Sequence, residues 1–153
     1  RAWQRNWGFV PMTDAEIDHM VKGLRPLLDP ELVFIAETQD GKPAGISLTL
    51  PDLHQALRAS GGGRTWPFGL LKFLWHRRKI NQVRLLAMGM IEEYRGRGAD
   101  AIFYLETARA ALRHGYTRLE GSWILETNTM MNQILERIGG RHYKTYRLYE
   151  KPL

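Results

Sequence analysis

A glycine-rich turn, Arg95-Gly96-Arg97-Gly98, is the segment of this sequence best suited to bind a charged ligand. It follows the apolar run Val83 to Ile91 and precedes an amphipathic stretch that begins at Ala99. Glycine lets the backbone approach a ligand closely, and the first N–H groups of a helix have no partners within the helix. A phosphate satisfies these donors and is attracted to the positive end of the helix dipole. The two arginines add charge-assisted contacts, so the turn predicts a phosphate site.

Metal and thiol chemistry find no support in the sequence. The histidines do not show the spacing of a ligand pair; they are His19, His54, His76, His114 and His142. The chain has no cysteine, which excludes a thiolate zinc site, a disulfide framework and a cysteinyl-acyl intermediate. A chain without cysteine is typical of a reducing compartment, so we expect a cytoplasmic protein.

The elements that hold the turn follow from hydrophobic periodicity and turn residues. Thr13 and Glu16 match the capping-box pattern of a helix start, Asp40-Gly41 indicates a hairpin, and Pro51-Asp52 is a possible helix cap. We predict a strand, a helix, two hairpin strands, an insertion at about 51–80, and then a strand, helix, strand, helix and strand. Their limits are 9–12, 13–26, 32–37, 44–50, 83–91, 99–114, 118–125, 129–138 and 141–149. The insertion includes a short helix that ends near Arg58 and a second helix over 66–78. This order predicts an α/β (α+β) fold, with a mixed, mostly antiparallel twisted sheet and helices on both faces.

The long helix over 99–114 has an apolar face in this prediction. Ala101, Leu105, Ala108 and Leu112 recur at helical spacing on that face, and Gly115 ends the helix. The amphipathic pattern therefore predicts a helix that lies on the sheet directly after the phosphate turn.

The run from Leu86 to Gly98, LAMGMIEEYRGRG, closely resembles the strand and turn that bind the cofactor in the GNAT superfamily of N-acetyltransferases. The turn in that family reads Arg or Gln, two residues, Gly, one residue, and Gly or Ala. Arg95 and Gly98 match the first two fixed positions. Downstream, residues 123–128 and the helix to Gly139-Gly140 look like the next strand and helix of the family.

Taken with the order of elements, the resemblance covers nearly the whole chain. The stretches 94–104 and 122–151 also resemble the C-terminal domain of a group of bacterial GNAT-like proteins of unassigned substrate. We therefore expect one GNAT-like domain over 1–153. The chain opens on Arg1, which suggests a fragment of a longer protein.

The resemblance implies an acyl-CoA-dependent N-acyltransferase, which moves an acetyl or longer acyl group from acetyl-CoA or another acyl-CoA to an amine by direct attack. The backbone N–H groups from Gly96 to Asp100 would bind the pyrophosphate. The backbone of Met88 and Met90 would bind the pantetheine arm where two strands splay apart, and Asn128 would contact that arm. The predicted cofactor-binding residues are Met88, Met90, Arg95, Gly96, Arg97, Gly98, Ala99, Asp100 and Asn128.

Two glutamates are candidates for the general base that takes the proton of the amine. Glu92 and Glu126 stand at the ends of the two strands that would border the splay, and either one works directly or through a water. The alternative for each is a solvated charge at a strand end. Asn128 likewise has an alternative role, as the N-cap of the helix that follows it.

Two residues depart from the pattern of the family. Asp100 stands where the family has Gly or Ala; its carboxylate either faces the phosphate or is a first-turn acid that points away from it. Leu135 stands where many members have a tyrosine that protonates the leaving thiolate. These departures leave open a non-catalytic module that keeps the fold and binds CoA, an acyl carrier or a protein partner.

Charge favours a polyanionic partner, because 22 Lys and Arg against 16 Asp and Glu give a net charge of +6. Basic and aromatic residues are interleaved over 66–79, as in segments that bind nucleic acid or a membrane surface. The alternative is a solvated loop or helix end, because short charge clusters usually face water. We rank binding through this segment third, and nucleic acid is the least favoured partner.

No apolar run is long enough to span a membrane. The acceptor is a small-molecule or peptide amine that the sequence does not identify. Two protein partners are left open, a second copy of the chain in a homodimer and the N-terminal region of the same polypeptide.

Overall fold

The computed structural model describes residues 10–62, 68–147, 149 and 151. The chain forms two compact units, Arg1–Glu120 and Gly121–Leu153. The first unit contains α1 (Asp14–Leu24), β1 (Val33–Glu37), β2 (Pro43–Pro51), α2 (Leu53–Ala59), α3 (Gly69–Arg77), β3 (Gln82–Met90), α4 (Ala99–Arg113) and β4 (Arg118–Glu120). The second unit contains α5 (Thr129–Arg137).

The four strands form one mixed sheet in the order β1-β2-β3-β4. β1 and β2 form an antiparallel hairpin, in which Gly41 takes a φ of 76°, as the Asp-Gly pair predicts. β2 and β3 are also antiparallel, whereas β3 and β4 are parallel and share only three register pairs. The prediction of a mixed, mostly antiparallel sheet is therefore confirmed.

The core lies between this sheet and α4, which contacts β1, β2 and β3. α4 buries Phe103, Thr107, Ala110 and Ala111. The Thr107 hydroxyl lies 3.5 Å from the hydroxyl of Ser47 on β2, so the two buried polar groups satisfy each other. Leu32 and Val83 complete the hydrophobic cluster on this face of the sheet.

The apolar face predicted for α4 is wrong. Leu105 is 49% exposed and Leu112 is 69% exposed, and Ala101 and Ala108 are exposed as well. Apolar residues occur nearly all round this helix, so periodicity alone did not distinguish two apolar faces. The face with Phe103 faces the sheet, because it offers the largest ring together with a hydroxyl that matches Ser47.

Three predicted strands are shorter than expected or missing among the described residues. Val10 to Met12 is irregular, and Phe9 lies outside the described residues. The strand predicted over 118–125 ends at Glu120, because Ser122 has a φ of 62° and so breaks the extended backbone. The described part of 141–149 has no strand, since β-propensity forms a strand only where a partner strand supplies the ladder.

The helices allow three local predictions from the sequence to be compared with the structure. Thr13 and Glu16 form the predicted capping box of α1, and the hydrogen bonds from the Thr13 backbone and side chain lower the pKa of Glu16. Asp52 precedes α2 as predicted, but its side chain does not cap that helix. α3 lies within the helix predicted over 66–78, and residues 66 and 67 of that prediction lie outside the described residues.

Replacing Gly45 with alanine is expected to destabilise the sheet beside β3. A Cβ at this position would clash with Sδ of Met90 and lie 3.2 Å from Cε2 of Phe103. Overpacking of this kind costs roughly 1–3 kcal/mol, which urea unfolding monitored by circular dichroism measures. The control is Gly23→Ala in α1, where a Cβ meets nothing within 4 Å. It should be neutral or stabilising, and equal losses in the two variants would contradict the packing explanation.

Candidate functional site

The candidate site begins at the edge of β3 that faces β4. Ile91, just after β3, donates its N–H to the carbonyl of Ala44 on the β2 side, at 2.9 Å. Because backbone groups alternate along a strand, the N–H and C=O groups of Met88 and Met90 point to the opposite edge. The ladder with β4 ends at Arg84 and Glu120, so this edge of β3 has no partner strand among the described residues from Leu85 onward.

A β-bulge lies in the middle of this free edge. Leu48 pairs with Ala87 and Thr49 pairs with Leu85, so Leu86 is the extra residue on β3. A bulge interrupts the ladder, increases the local twist and is common next to active sites. β3 is therefore bent where its pairing with β4 has just ended.

The segment after β3 carries the predicted phosphate turn. Glu92 is exposed and lies in a 3₁₀ turn, Glu92–Tyr94, which connects β3 to the glycines. Arg95 donates from Nε to the carbonyl of Met90 at 3.0 Å, and the guanidinium of Arg97 lies 5.3 Å from the ring centre of Tyr94. The Arg95 contact holds the turn against the end of β3 and occupies the Met90 carbonyl. The N–H is then the backbone group of Met90 that points to the free edge.

Both glycines of the turn adopt left-handed backbone conformations. Gly96 has a φ of 71° and Gly98 a φ of 85°, and a Cβ at either position would meet nothing within 4 Å. Gly98 is the N-cap of α4 and, as a glycine, makes no side-chain cap to the first turn of this helix. The open cradle and the uncapped amides beside Ala99 and Asp100 fit a bound anion.

Asp100 lies in the first turn of α4, one helical turn before Tyr104. Burial, and secondarily the charge of Asp100, raise the pKa of Tyr104 to about 12. The Tyr104 hydroxyl is buried and has no hydrogen-bond partner among the described residues. Asp100 and Tyr104 are four residues apart and therefore lie on the same face of α4.

Three residues singled out by the resemblance lie in the second unit. Glu126 is in an exposed turn rather than at a strand end, since the strand predicted to precede it stops at Glu120. Asn128 is the N-cap of α5, and its Oδ1 accepts the N–H of Met131 at 3.3 Å. Leu135 packs beside Gly121, where an added Cβ would lie 3.1 Å from its Cδ1.

A polar cluster that the sequence analysis missed lies where the β3–β4 ladder ends. The amide of Gln82 donates to Asp52 at 3.1 Å and to Glu120 at 3.4 Å, and Arg84 lies 3.9 Å from Asp52. Asp52 is only 7% exposed, and the Nε of Arg84 is buried without a hydrogen-bond partner among the described residues. In the sequence, Asp52 follows one strand and Arg84 lies in another, but we interpreted the Pro51-Asp52 pair as a helix cap. Across the described residues, no group of three or more His, Asp or Glu is arranged to hold a metal ion.

A solved structure shares the overall fold of the chain. The chain matches the aminoglycoside acetyltransferase AAC(6')-Iy, solved with the bisubstrate analogue CoA-S-monomethyl-acetylneamine, with a TM-score of 0.55. The match covers 96% of this chain and 84% of that one at 18% identity. The chain has the GNAT acetyltransferase fold. The fold predicted from the sequence is thereby confirmed.

Two curated relatives are similar to the chain at the level of sequence. A protein named bacterial ceramide synthase from Caulobacter vibrioides is 40% identical over 158 residues, and Protein YghO from Escherichia coli is 42% identical over 159 residues. Each alignment covers 99% of this chain, which spans about two fifths of the length of each relative. No protein-family profile matches the chain. The GNAT fold of this chain therefore corresponds to a part of these longer proteins.

Proposed function

We propose that this chain is an acyl-CoA-dependent N-acyltransferase that acylates an amine by direct transfer. The observation that carries the proposal is the free edge of β3, with the N–H groups of Met88 and Met90 along it, leading into the uncapped start of α4. A cofactor with amide groups in its arm and a pyrophosphate at one end matches such a surface. The fold supports the same reaction class.

The proposed cofactor contacts follow from this geometry. The amides from Gly96 through Ala99 to Asp100 would hold the pyrophosphate, because the N-cap of α4 is a glycine without a capping side chain. Arg97 supplies positive charge above the turn, whereas Arg95 holds the turn against Met90. Met88 and Met90 bind the pantetheine arm through their backbone, and Asn128 is proposed as a further contact through its amide nitrogen, since its Oδ1 caps α5.

When bound, acyl-CoA supplies a thioester whose carbonyl carbon is attacked by the amine, so that a C–N bond forms and the C–S bond breaks. The chain positions the two reactants and polarises the carbonyl through backbone N–H groups near the bulge at Leu86. A carboxylate takes the proton of the amine. The leaving thiolate takes its proton from solvent, because Leu135 has no acidic group.

The structure adds a third candidate base to Glu92 and Glu126. At about 3.3 Å per residue, the strand from Met90 back to Arg84 covers about 20 Å, along which the arm extends from the pyrophosphate to the acyl group. Glu92 stands at the pyrophosphate end of that path. Glu120 stands at the other end, paired with Arg84 in the last register pair and held by Gln82. We therefore propose Glu120 as the base, and retain Glu126 and Glu92 as the alternatives.

The acceptor we propose is a long-chain amine, and the acyl group is acetyl or longer. This choice is motivated by the Caulobacter relative, because a ceramide is the N-acyl derivative of a long-chain amino alcohol. Exposed apolar side chains near the free edge, such as Leu86 of the bulge, suit an acceptor of this kind.

Calorimetric titration with CoA and acetyl-CoA, followed by a thiol-release assay, tests the proposal. We expect a saturable heat of binding and an increase of the melting temperature with ligand concentration. Thiol release should then require an amine, and a series of acyl-CoA lengths against short and long-chain amines identifies both substrates. Binding without thiol release across the series would show a non-catalytic CoA-binding module. Absence of both heat and thermal shift would refute CoA binding altogether.

A further inference from the structure

α3 exposes a row of large apolar side chains to solvent. Leu71 is 65% exposed and Trp75 is 56% exposed, and Leu70, Leu74 and the preceding Phe68 are similarly open. We call Leu70, Leu71, Leu74 and Trp75 the exposed apolar face of α3. Nothing in the described residues covers this face. Burying it in an apolar medium would therefore release a considerable hydrophobic free energy.

The opposite side of the same helix anchors it to the protein. Gly69, Phe73 and His76 recur at helical spacing and are buried or half-buried, and α3 packs against α2. The exposed apolar face is thus held outward on a packed helix. Such a helix can place its apolar side chains in the plane of an interface without unfolding.

The charge of the chain is concentrated around α3. Residues 53–91 contain seven Lys and Arg and no Asp or Glu. The whole chain has 22 Lys and Arg and 16 Asp and Glu, so the rest of the chain has fifteen basic and sixteen acidic residues. The net charge of +6 therefore comes from this segment alone. Asp52 and Glu92 border the segment and Arg84 lies beside Asp52, so the cations close to α3 are Lys72, Arg77, Arg78 and Lys79. A cluster of this kind is attracted to a surface of negative charge.

The basic residues border the exposed apolar face. Lys72 and Arg77 lie on its two flanks by helical spacing, Arg78 and Lys79 follow at the C-terminal end, and all four are exposed. The ammonium of Lys79 lies 3.5 Å from the ring centre of Trp75. An apolar face with a tryptophan at its edge and cations around it matches the two layers of a membrane surface, acyl chains beneath and anionic headgroups above.

We propose that α3 docks this chain on an anionic lipid bilayer, with its exposed apolar face in the headgroup–acyl boundary and Lys72, Arg77, Arg78 and Lys79 on lipid phosphates. Nucleic acid is a poorer fit, because three of the four residues on the face are leucines, which offer no ring for base stacking. No helix in the described part of the chain is long and apolar enough to cross a bilayer, so α3 lies on the surface. The inference goes beyond the proposed acyl transfer and would bring a lipid-bound amine to the enzyme.

Co-sedimentation with vesicles tests the docking. The chain should bind vesicles of phosphatidylcholine mixed with phosphatidylglycerol, and bind vesicles of phosphatidylcholine alone far less. Leu71→Gln/Leu74→Gln should reduce partitioning about tenfold, since two exposed leucines no longer enter the acyl region. Arg77→Gln/Arg78→Gln should reduce it about fivefold for each cation lost, and binding should weaken with salt.

Matched variants on α4 separate docking from general effects. Leu105→Gln/Leu112→Gln removes two exposed leucines, and Arg109→Gln/Arg113→Gln removes two exposed cations, at equal change in composition. Neither should change partitioning, and circular dichroism checks that every variant is folded.

Equal losses in the α3 and α4 variants, or no vesicle binding by the parent chain, would overturn the proposal. Tight oligonucleotide binding that is insensitive to Leu71→Gln/Leu74→Gln would overturn it in favour of nucleic acid. Sedimentation needs neither CoA nor turnover, so its failure is independent of the proposed function.

Discussion

Replacing Gly98 with alanine is expected to weaken CoA binding roughly 10- to 100-fold, the equivalent of one hydrogen bond to a charged group at about 1.5–3 kcal/mol. Gly98 has a φ of 85° and caps α4 with its backbone alone. The Cβ of alanine would project into open space beside the uncapped amides, where the pyrophosphate is proposed to lie. Calorimetric titration with CoA measures the effect.

Gly115→Ala is the matched control for this substitution. Gly115 follows the other end of α4, has a φ of 79°, and also has open space around its Cβ position. Both variants should lose about 1 kcal/mol of folding stability, because alanine is strained in the left-handed region. Only Gly98→Ala should weaken CoA binding. Equal loss of affinity in both would mean that helix strain, and not the turn, controls the ligand.

The geometry of the glycine turn was predictable because its signals are local. Arg95 to Gly98 required only glycines that take positive φ and a helix that starts without a polar cap, and both are properties of neighbouring residues. The hairpin at Gly41 and the capping box at Thr13 were predicted for the same reason. Such signals depend little on the rest of the molecule.

The errors arose where the deciding feature is neither β-propensity nor hydrophobic periodicity. The strand after Arg118 was extended to Leu125 from β-propensity, but Ser122 turns the backbone into the left-handed region and stops it. The buried face of α4 contains Thr107, which contacts Ser47, sixty residues away in sequence. Neither effect is visible in hydrophobic periodicity.

The polar cluster shows the same limit at the candidate site. Asp52, Gln82 and Glu120 belong to three separate segments, and only the sheet register brings them together. Sequence reasoning chose Glu126 and Glu92 because each follows an apolar run. The sequence does not show that the β3–β4 ladder ends at Glu120. This end point determines which carboxylate stands beside the opening between the strands.

Glu120→Gln is expected to lower kcat about 100-fold or more, the usual contribution of a positioned general base. Glutamine has nearly the same shape and still accepts the hydrogen bond from Gln82, but it cannot take the proton of the amine. The carboxylate acts on the attacking nitrogen and not on the cofactor arm. The KM for acyl-CoA and the calorimetric affinity for CoA should therefore stay within about twofold of the parent values, as expected for a group that acts only in the transition state.

Glu92→Gln and Glu126→Gln complete the comparison, since each removes one carboxylate by the same isosteric change. Both side chains are exposed, so these variants should fold normally and change kcat less than about threefold if Glu120 is the base. A large loss of kcat in Glu126→Gln or Glu92→Gln, with Glu120→Gln active, would reassign the proton to that residue. If that residue is Glu92, the acyl group lies away from the last β3–β4 register pair, because a base has to reach the attacking nitrogen within hydrogen-bond distance.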